Sequence, residues 1–334
     1  IINTTLFVAI PASAAAAFCG ILSHTIYLEN KLAEASDKKV YIESVFESLK
    51  TTFRTIQDWY NSYSLHNYIG FILTYTSKKD VITRIQIIID LISKYESLSK
   101  TQFIEQELKT NRINEMFKKF SIDDINYEDN QNNVEKLLML FNIEELNEIH
   151  MKFDFSVDKN GWSVEHIKAQ HSEITQAEKR RDYLQREKES LTKLKDATVD
   201  TTLKTTIDGI LPQIDVLLGV PDIDENDFKR IAELIDRDID GFDAVDMHKL
   251  GNLALLSKSD NSSLSNKPFY QKREQVNNWL QDFSKNIPNS TRRAFLKMYS
   301  SQEYALDFTR WRKSDFNDMF NRQKKLLKNF IQGC

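Results

Sequence analysis

The sequence is poor in the residues that interrupt or cross-link a chain, with 8 glycines, 5 prolines and 2 cysteines among 334 residues. Because Cys19 and Cys334 are the only cysteines, a disulfide scaffold and a four-cysteine zinc site are excluded, and a reducing, cytosolic setting is expected. Scarce glycine and proline, with plentiful Leu, Ile, Lys and Glu, indicate a mainly α chain. The net charge of −4 excludes an overall basic surface, so any attraction for nucleic acid must be local.

Charge is also lacking at the start, where no charged residue precedes Glu29. The chain begins with Ile1 rather than Met, which is the pattern of a fragment of a longer protein. Residues 6–22 are apolar and Ala-rich, but this run lacks a positively charged flank and contains Pro11 and Ser13. We interpret it as a buried helix rather than a membrane segment, and we expect no membrane partner.

Residues 1–150 are predicted to form a helical bundle, because their apolar residues recur at helical spacing. Helices are expected over residues 41–59, 65–75, 100–120 and 134–150. A further helix, expected to be well buried, carries an apolar stripe of Val81, Ile85, Ile88 and Ile92, widened by Ile82 and Ile89. His66 lies in an aromatic-rich run, and we interpret it as a hydrogen-bonded packing residue.

The pattern changes near residue 150, where we place the boundary of a second domain, residues 151–334. Lys159-Asn160-Gly161 is a turn signal, and the residues that follow predict a strand over 162–167. Leu253-Ala-Leu-Leu256 predicts a second, buried strand. Between them, charged residues of mixed sign and helical periodicity predict a helical insertion at about 172–245, with helices over 171–194, 201–218 and 224–237.

The two predicted strands carry a set of residues suited to cutting a phosphodiester. This reaction needs an activated water and neutralisation of the charge on the phosphate and leaving group, which a neutral histidine and one divalent cation can supply. We assign His166 as general base, and Glu165 and Asn261 as oxygen ligands of Mg²⁺ or Mn²⁺. Neighbouring strand residues point to opposite faces, so the strand is expected to end at Glu165 or His166.

Asn252 is expected to hold the loop that carries His166. It precedes the second strand, and its amide can hydrogen-bond across to that loop and orient the base. Gly251 permits a close backbone approach there. Asn261 is expected where the strand gives way to a helix containing Phe269, Tyr270, Lys272 and Arg273.

Positive charge dominates after the second strand, and we expect DNA phosphates to bind there. Solvated helix faces are the alternative for any single lysine. The first basic segment holds Lys267, Lys272, Arg273, Lys285, Arg292, Arg293 and Lys297, and the second holds Arg310, Arg312, Lys313, Arg322, Lys324, Lys325 and Lys328.

The ordered set Glu165-His166, Asn252 and Asn261 resembles the HNH (His-Me finger, ββα-metal) endonucleases. More closely, residues 164–170, 248–256 and 261–273 resemble the C-terminal nuclease part of GmrSD-type restriction proteins, which act in bacterial phage defence on modified DNA. The resemblance implies a small ββα-metal (HNH) core embedded in helices, with His166, Glu165, Asn261 and Asn252 in the roles given above. His248 and Lys272 also occupy matching positions, and we expect them to bind substrate.

The sequence therefore predicts a metal-dependent HNH endonuclease that cuts or nicks DNA. Three alternatives stay open: a nucleic-acid sensor or scaffold with little cleavage, a nuclease for RNA, and a helical interaction protein with a fortuitous motif. The nucleotide-dependent sensing domain of the family has no counterpart in residues 1–150, where no Gly-rich phosphate loop is present. It is expected in a missing N-terminal part.

Overall fold

The computed structural model describes residues 36–76, 81–155, 161–169, 176–264, 267–282, 285–300 and 309–331. These residues are mostly helical and contain two strands, which confirms the mainly α fold class. Within them, no helix is both long and apolar enough to span a bilayer. The apolar run over residues 6–22 lies outside the described residues.

The chain divides into two compact units. The first lies within Ile1–Lys118 and Ile143–Ser156, and the second within Lys119–Asn142 and Val157–Cys334. Residues 119–142 thus belong to the unit that contains both strands. The sequence-based boundary near residue 150 stays a prediction.

The first unit contains the predicted helices with slightly shifted ends. They are α1 (Lys38–Asn61), α2 (Tyr63–Thr76), α3 (Val81–Ser97) and α4, which begins as Lys100–Gln102, continues with π-type spacing over Phe103–Asn114 and ends as Glu115–Phe117. Asp37 caps α1, because its carboxylate accepts hydrogen bonds from the backbone N–H groups of Lys39 and Val40. The core of this unit includes the fully buried Trp59, Phe71, Phe103 and Phe117.

The predicted burial of α3 is wrong. Ile82 is 66% exposed and Ile89 61% exposed, whereas Arg84, Ile87 and Leu91 are buried. The buried residues follow a spacing of three and four, so the helix turns a different face inward. Apolar residues occupy most of its circumference, and hydrophobic periodicity therefore did not distinguish the two faces.

The second unit begins with most of α5 (Tyr127–Glu148), up to Asn142, and continues with β1 (Trp162–His166). The insertion follows as α6 (Ala177–Ala197), α7 (Thr201–Gly219) and α8 (Glu225–Ile235), extended by a π-type turn, Asp236–Asp240. Asp224 caps α8, as its sequence position predicts. The insertion has a hydrophobic core of its own, in which Leu184, Ile207, Ile214, Phe228 and Ile235 are completely buried.

Two short 3₁₀ turns, Ala244–Asp246 and Leu250–Asn252, lead into β2 (Leu253–Ser257). β1 and β2 are antiparallel, with Trp162 opposite Ser257 and His166 opposite Leu253. All five residues of β2 are buried. Both predicted strands are therefore present, and β1 ends at His166 as expected.

The described residues after β2 form four helices: α9 (Lys258–Leu264), α10 (Phe269–Gln281), α11 (Asn289–Phe295) and α12 (Lys313–Leu327). The sequence prediction that Asn261 marks the start of the helix containing Phe269 is wrong. Asn261 lies inside α9, a separate short helix that follows β2 directly. The order β1, β2, α9 is thus strand, strand, helix, interrupted by the insertion between the strands.

Candidate active site

Glu165 and His166 are the last two residues of β1 and lie opposite Ala254 and Leu253 of β2. Glu165 is 7% exposed and His166 is half-buried. The apolar alternation of β1 places Trp162 and Val164 in the core. The same short strand therefore delivers both predicted functional residues to its end.

Asn252 is fully buried and holds the backbone that follows His166. Its side-chain oxygen accepts a hydrogen bond from Lys168 N (2.9 Å), and its amide nitrogen donates to Lys168 O (3.2 Å) and Met247 O (3.0 Å). Ile167 N also donates to Asn252 O at 2.8 Å. The contact predicted for Asn252 is present.

Gly251 precedes Asn252 at a point of close backbone approach. A Cβ atom on it would lie 2.8 Å from the backbone oxygen of Phe316 and 2.8 Å from the Phe316 ring. Glycine is therefore required for the turn Leu250–Asn252 to approach α12 and present Asn252 to the backbone after β1.

Asn261 projects from α9 onto β1. Its amide nitrogen donates to Ser163 Oγ (2.7 Å) and Val164 O (3.1 Å), so the side chain reaches the residue next to Glu165. Its Oδ1 is buried and has no hydrogen-bond partner among the described residues. A buried carbonyl-type oxygen without a hydrogen-bond partner destabilises the folded protein unless a ligand binds to it. This oxygen is suited to a hard divalent cation.

Lys272 of α10 contacts both residues at the end of β1. Its Nζ lies 2.5 Å from Glu165 Oε1 and donates to His166 O at 2.7 Å. Lys272 is only 1% exposed, so in this structure its amine contacts protein atoms and is shielded from solvent. The substrate-binding role predicted for Lys272 stays a prediction.

The imidazole of His166 is surrounded by rings and positive charge. Burial, and to a smaller extent Lys272 and His248, lowers its pKa to about 3. The Tyr127 and His248 rings each meet the His166 ring nearly at right angles, with centroids 5.3 and 5.4 Å away. His166 is consequently neutral at pH 7, the protonation state that a general base requires.

The remaining predicted site residues have diverse positions. His248 is half-buried, and its Nε2 lies 3.2 Å from Glu128 Oε1. Lys267 is half-buried, and its Nζ donates to Ser263 O (3.1 Å) and Gln275 Oε1 (2.6 Å). Arg273 lies on α10 next to Lys272 and is half-buried. Their roles stay predictions.

Part of the predicted phosphate-binding charge is buried, which corrects that expectation. Lys297, Arg310 and Arg312 are each at most 6% exposed. Lys297 Nζ lies 3.0 Å from Asp315, and Arg310 donates to Asp240 and Glu187. The acidic partners are distant in sequence, so charge counting along the chain did not reveal these internal ion pairs. Arg292, Lys325 and Lys328 are exposed.

Two groups near His166 were missed by sequence reasoning. Tyr127 and Glu128 come from the start of α5, in the half of the chain interpreted as a separate bundle. Lys168, two residues after His166, is buried and forms ion pairs with Asp236 (2.8 Å) and Asp240 of the insertion. Burial alone would lower the pKa of Lys168, but these two carboxylates outweigh it and raise the pKa. No sequence signal linked these partners.

No cluster of three or more His, Cys, Asp or Glu side chains suited to a metal is present in the described parts of the chain. The predicted ligand set does not require one, because Mg²⁺ is usually held by one or two protein oxygens, with water and phosphate completing the shell. The Glu165 carboxylate and the unsatisfied Asn261 oxygen fit that chemistry.

Comparison with known families identifies the class of this region. Residues 174–328 match the model of the C-terminal domain of GmrSD restriction endonucleases. The match covers less than half of the chain, includes Asn252 and Asn261, and begins after Glu165 and His166. It confirms the predicted resemblance to the GmrSD-type C-terminal nuclease part and supports a restriction-type endonuclease role. Neither a curated protein nor a solved structure matches the chain.

Proposed function

We propose that this protein is a metal-dependent HNH-type endonuclease that cuts or nicks DNA. The observation that carries the proposal is the arrangement of β1, β2 and α9. It places Glu165 and His166 at one strand end, with Asn252 bonded to the backbone after His166 and Asn261 bonded to the backbone before Glu165. This order of strand, strand and helix, with the four residues at these points, supports a ββα nuclease core.

His166 acts as the general base in this proposal. Its neutral imidazole has a lone pair available to accept a proton from the attacking water. A phosphodiester bound beside the ring brings negative charge, which favours the protonated form and raises the pKa of His166 toward neutrality. Substrate binding would therefore strengthen the base at the stage when the proton is transferred.

Glu165 and Asn261 would hold one Mg²⁺ or Mn²⁺ ion through side-chain oxygens. The bound ion supplies charge neutralisation at the phosphate and the leaving oxygen. Lys272 holds the Glu165 carboxylate and the His166 carbonyl, and Asn252 holds the backbone of Lys168. Lys272 thus fixes the last two residues of β1, and Asn252 fixes the backbone that follows them.

DNA is the proposed substrate, bound through its phosphates. His248, Lys267 and Arg273 are the proposed contacts, and exposed Arg292, Lys325 and Lys328 add positive charge for sequence-independent attraction. The resemblance to GmrSD proteins supports modified phage DNA as the target and a role in defence. Selection of modified DNA is then assigned to a sensing domain outside residues 1–334.

The test is cleavage of supercoiled plasmid, unmodified and carrying phage-type base modifications, in the presence of Mg²⁺ or Mn²⁺. The parent protein is compared with His166→Ala, and with His66→Gln as a matched change of another half-buried histidine. We expect metal-dependent nicking or linearisation by the parent and by His66→Gln, and none by His166→Ala.

Other outcomes separate the alternatives. Binding of plasmid without cleavage in either metal contradicts the nuclease proposal and favours a sensor or scaffold. Cleavage of single-stranded RNA in place of DNA, lost in His166→Ala, contradicts the DNA assignment alone. Equal cleavage by the parent and His166→Ala contradicts the assignment of the base.

A further inference from the structure

The first turn of α5 contacts the candidate active site although it precedes β1 by more than thirty residues. Asn126 caps this turn, because its side-chain oxygen accepts a hydrogen bond from Asp129 N at 3.0 Å, and a kink at Asn130 separates the turn from the rest of α5. Ile122 and Ile125, just before the cap, are buried in the same unit. The turn is therefore held in a defined position by its cap and by two apolar anchors.

A backbone hydrogen bond and a carboxylate–imidazole contact join this turn to the segment before β2. Tyr127 N donates to His248 O at 2.9 Å, and Glu128 Oε1 lies 3.2 Å from His248 Nε2. Because a carboxylate accepts, the Nε2 atom of His248 carries the hydrogen in this contact. Backbone and side chain of His248 are thus both fixed by α5.

The rings of Tyr127 and His248 both contact the His166 ring. Both meet it edge to face, with interplanar angles of 86° and 87°. Rotation of an imidazole about its second side-chain torsion is broad and is not restricted to staggered positions. The direction of the His166 nitrogens is consequently set by what packs around the ring, and edge-to-face contacts favour a defined ring orientation.

We propose that Tyr127 is a positioning residue of the nuclease site, which together with His248 fixes the orientation of the His166 ring. The proposal rests on the proposed function, because it assigns His166 as the base. Glu128 supports the same arrangement through His248. The start of α5 is then part of the nuclease machinery, upstream of both strands and of the region that matches the family.

Kinetics provide the first test, with Tyr127→Leu removing the ring and Tyr127→Phe keeping it. A base misplaced by about an ångström loses about 100-fold in rate, so we expect that loss in kcat for Tyr127→Leu with little change in KM. Tyr127→Phe should restore most of the turnover. Tyr299→Leu is the matched control, because Tyr299 packs against Phe141 in the same unit and has no ring contact with His166 among those described.

Nuclear magnetic resonance of ¹³C-labelled histidine provides a readout that does not depend on cleavage. The His166 ring signal is identified by its absence in His166→Ala. We expect Tyr127→Leu to displace this signal, since it removes the neighbouring ring, and Tyr299→Leu to leave it in place. An unmoved His166 signal in folded Tyr127→Leu would overturn the proposal, as would unchanged kcat.

Glu128→Ala covers the case in which Tyr127→Leu does not fold. Glu128 is exposed, so its removal leaves the core intact while releasing His248 Nε2. We expect displaced His248 and His166 signals and a loss of about tenfold in kcat; unchanged signals and rate contradict the proposal. If the parent itself cuts no nucleic acid, the proposed function fails, and the His166 signal of Glu128→Ala, which keeps the Tyr127 ring, decides whether the start of α5 orients His166.

Discussion

His66 and Asn67 in the first unit can be compared with His166 and Asn252 in the second. Asn67 accepts from Phe153 N (2.7 Å) and donates to Asn147 Oδ1 (2.8 Å) and Met151 O (2.9 Å). Asn252 likewise accepts one backbone N–H and donates to two carbonyls. Both asparagines are fully buried, and both fix a backbone segment distant in sequence.

The surroundings of the two histidines differ. His66 Nε2 donates to Phe153 O at 3.0 Å, and its neighbours are the rings of Tyr60 and Phe155. At His166, the buried ammonium group of Lys272 contacts the carboxylate of the adjacent Glu165 and donates to the His166 carbonyl. Asn261 adds a buried oxygen without a partner near the same strand end.

Burial and a lowered pKa do not by themselves mark a reactive histidine. Burial lowers the pKa of both His66 and His166. What distinguishes the second region is a buried ion pair, Glu165 with Lys272, and a buried amide oxygen of Asn261 at the end of the strand that carries His166. The following experiments test that distinction.

The largest difference between the two regions is expected in the rate of cleavage after substitution of His166 or His66. His166→Ala removes the proposed base and should lower the rate of plasmid cleavage about 1,000-fold. His66→Gln keeps a side chain that can donate to Phe153 O and should leave the rate close to that of the parent. Initial rates under single-turnover conditions give both values. A comparable loss in the two variants would show that the two regions do not differ in function.

Substitution of two buried carboxylates should affect the Mg²⁺ dependence of cleavage differently. Glu165 pairs with Lys272, and Glu107 pairs with Arg112 at 2.9 Å in the first unit. Loss of a ligand in Glu165→Gln should raise the Mg²⁺ concentration for half-maximal cleavage by at least about tenfold. Glu107→Gln should leave that concentration unchanged. An unaltered Mg²⁺ dependence in Glu165→Gln would remove Glu165 from the ligand set.

Stability should be affected equally by the two asparagines. Asn67→Ala and Asn252→Ala each remove three buried hydrogen bonds, which should lower the free energy of unfolding by about 3 kcal/mol. Urea unfolding followed by circular dichroism measures this loss. At a temperature where both variants are folded, only Asn252→Ala should also lower the cleavage rate, because it releases the backbone after His166. Equal cleavage by the two would contradict the role of Asn252.

The smallest effect concerns pH and His66. Burial lowers the pKa of His66 from its ordinary value of 6.5, and the Phe153 carbonyl opposes this only in part. Protonation would place a hydrogen on Nδ1, which is buried without a hydrogen-bond partner in the described structure. Below about pH 6.5 the unfolded chain therefore takes up a proton that the native state resists, and the free energy of unfolding falls as pH decreases.

This fall is limited to about 1.4 kcal/mol per pH unit for one proton. Thermal unfolding at about pH 7.5 and about pH 5.5 should show a smaller decrease in His66→Gln than in the parent. The decrease that remains in His66→Gln comes from other titratable groups, among them His166. Exposed His150 provides the control, and His150→Gln should behave as the parent does. A parent-like decrease in His66→Gln would contradict the prediction.

The sequence was sufficient for the parts of the site that depend on local pattern. The extended residues before His166 predicted β1, and the apolar segment after Asn252 predicted β2. Asp224 signalled the start of α8. These features depend on residues within a few positions of one another, so local propensity and spacing determine them.

Contacts between distant segments were beyond sequence reasoning. Arg310 was interpreted as a phosphate contact, because the carboxylates that pair with it, Asp240 and Glu187, belong to the distant insertion. The ion pair between Lys272 and Glu165 of β1 was not visible in the sequence either. Tyr127 carried no signal, since it lies more than 100 positions from His248. The prediction of which face of α3 is buried was also wrong, because apolar residues lie on most sides of this helix. In each case the deciding partner is remote in sequence.

The insertion between β1 and β2 has a consequence for folding. Lys168 and Asn252, which join the two strand ends, are 84 positions apart. Closing an unstructured loop of that length is entropically unfavourable and slow. Because the insertion has its own hydrophobic core, its collapse can bring both strands together first. Glu165, His166 and Asn261 then become adjacent only after the insertion has folded, so an incompletely synthesised or partly folded chain would lack the proposed nuclease site.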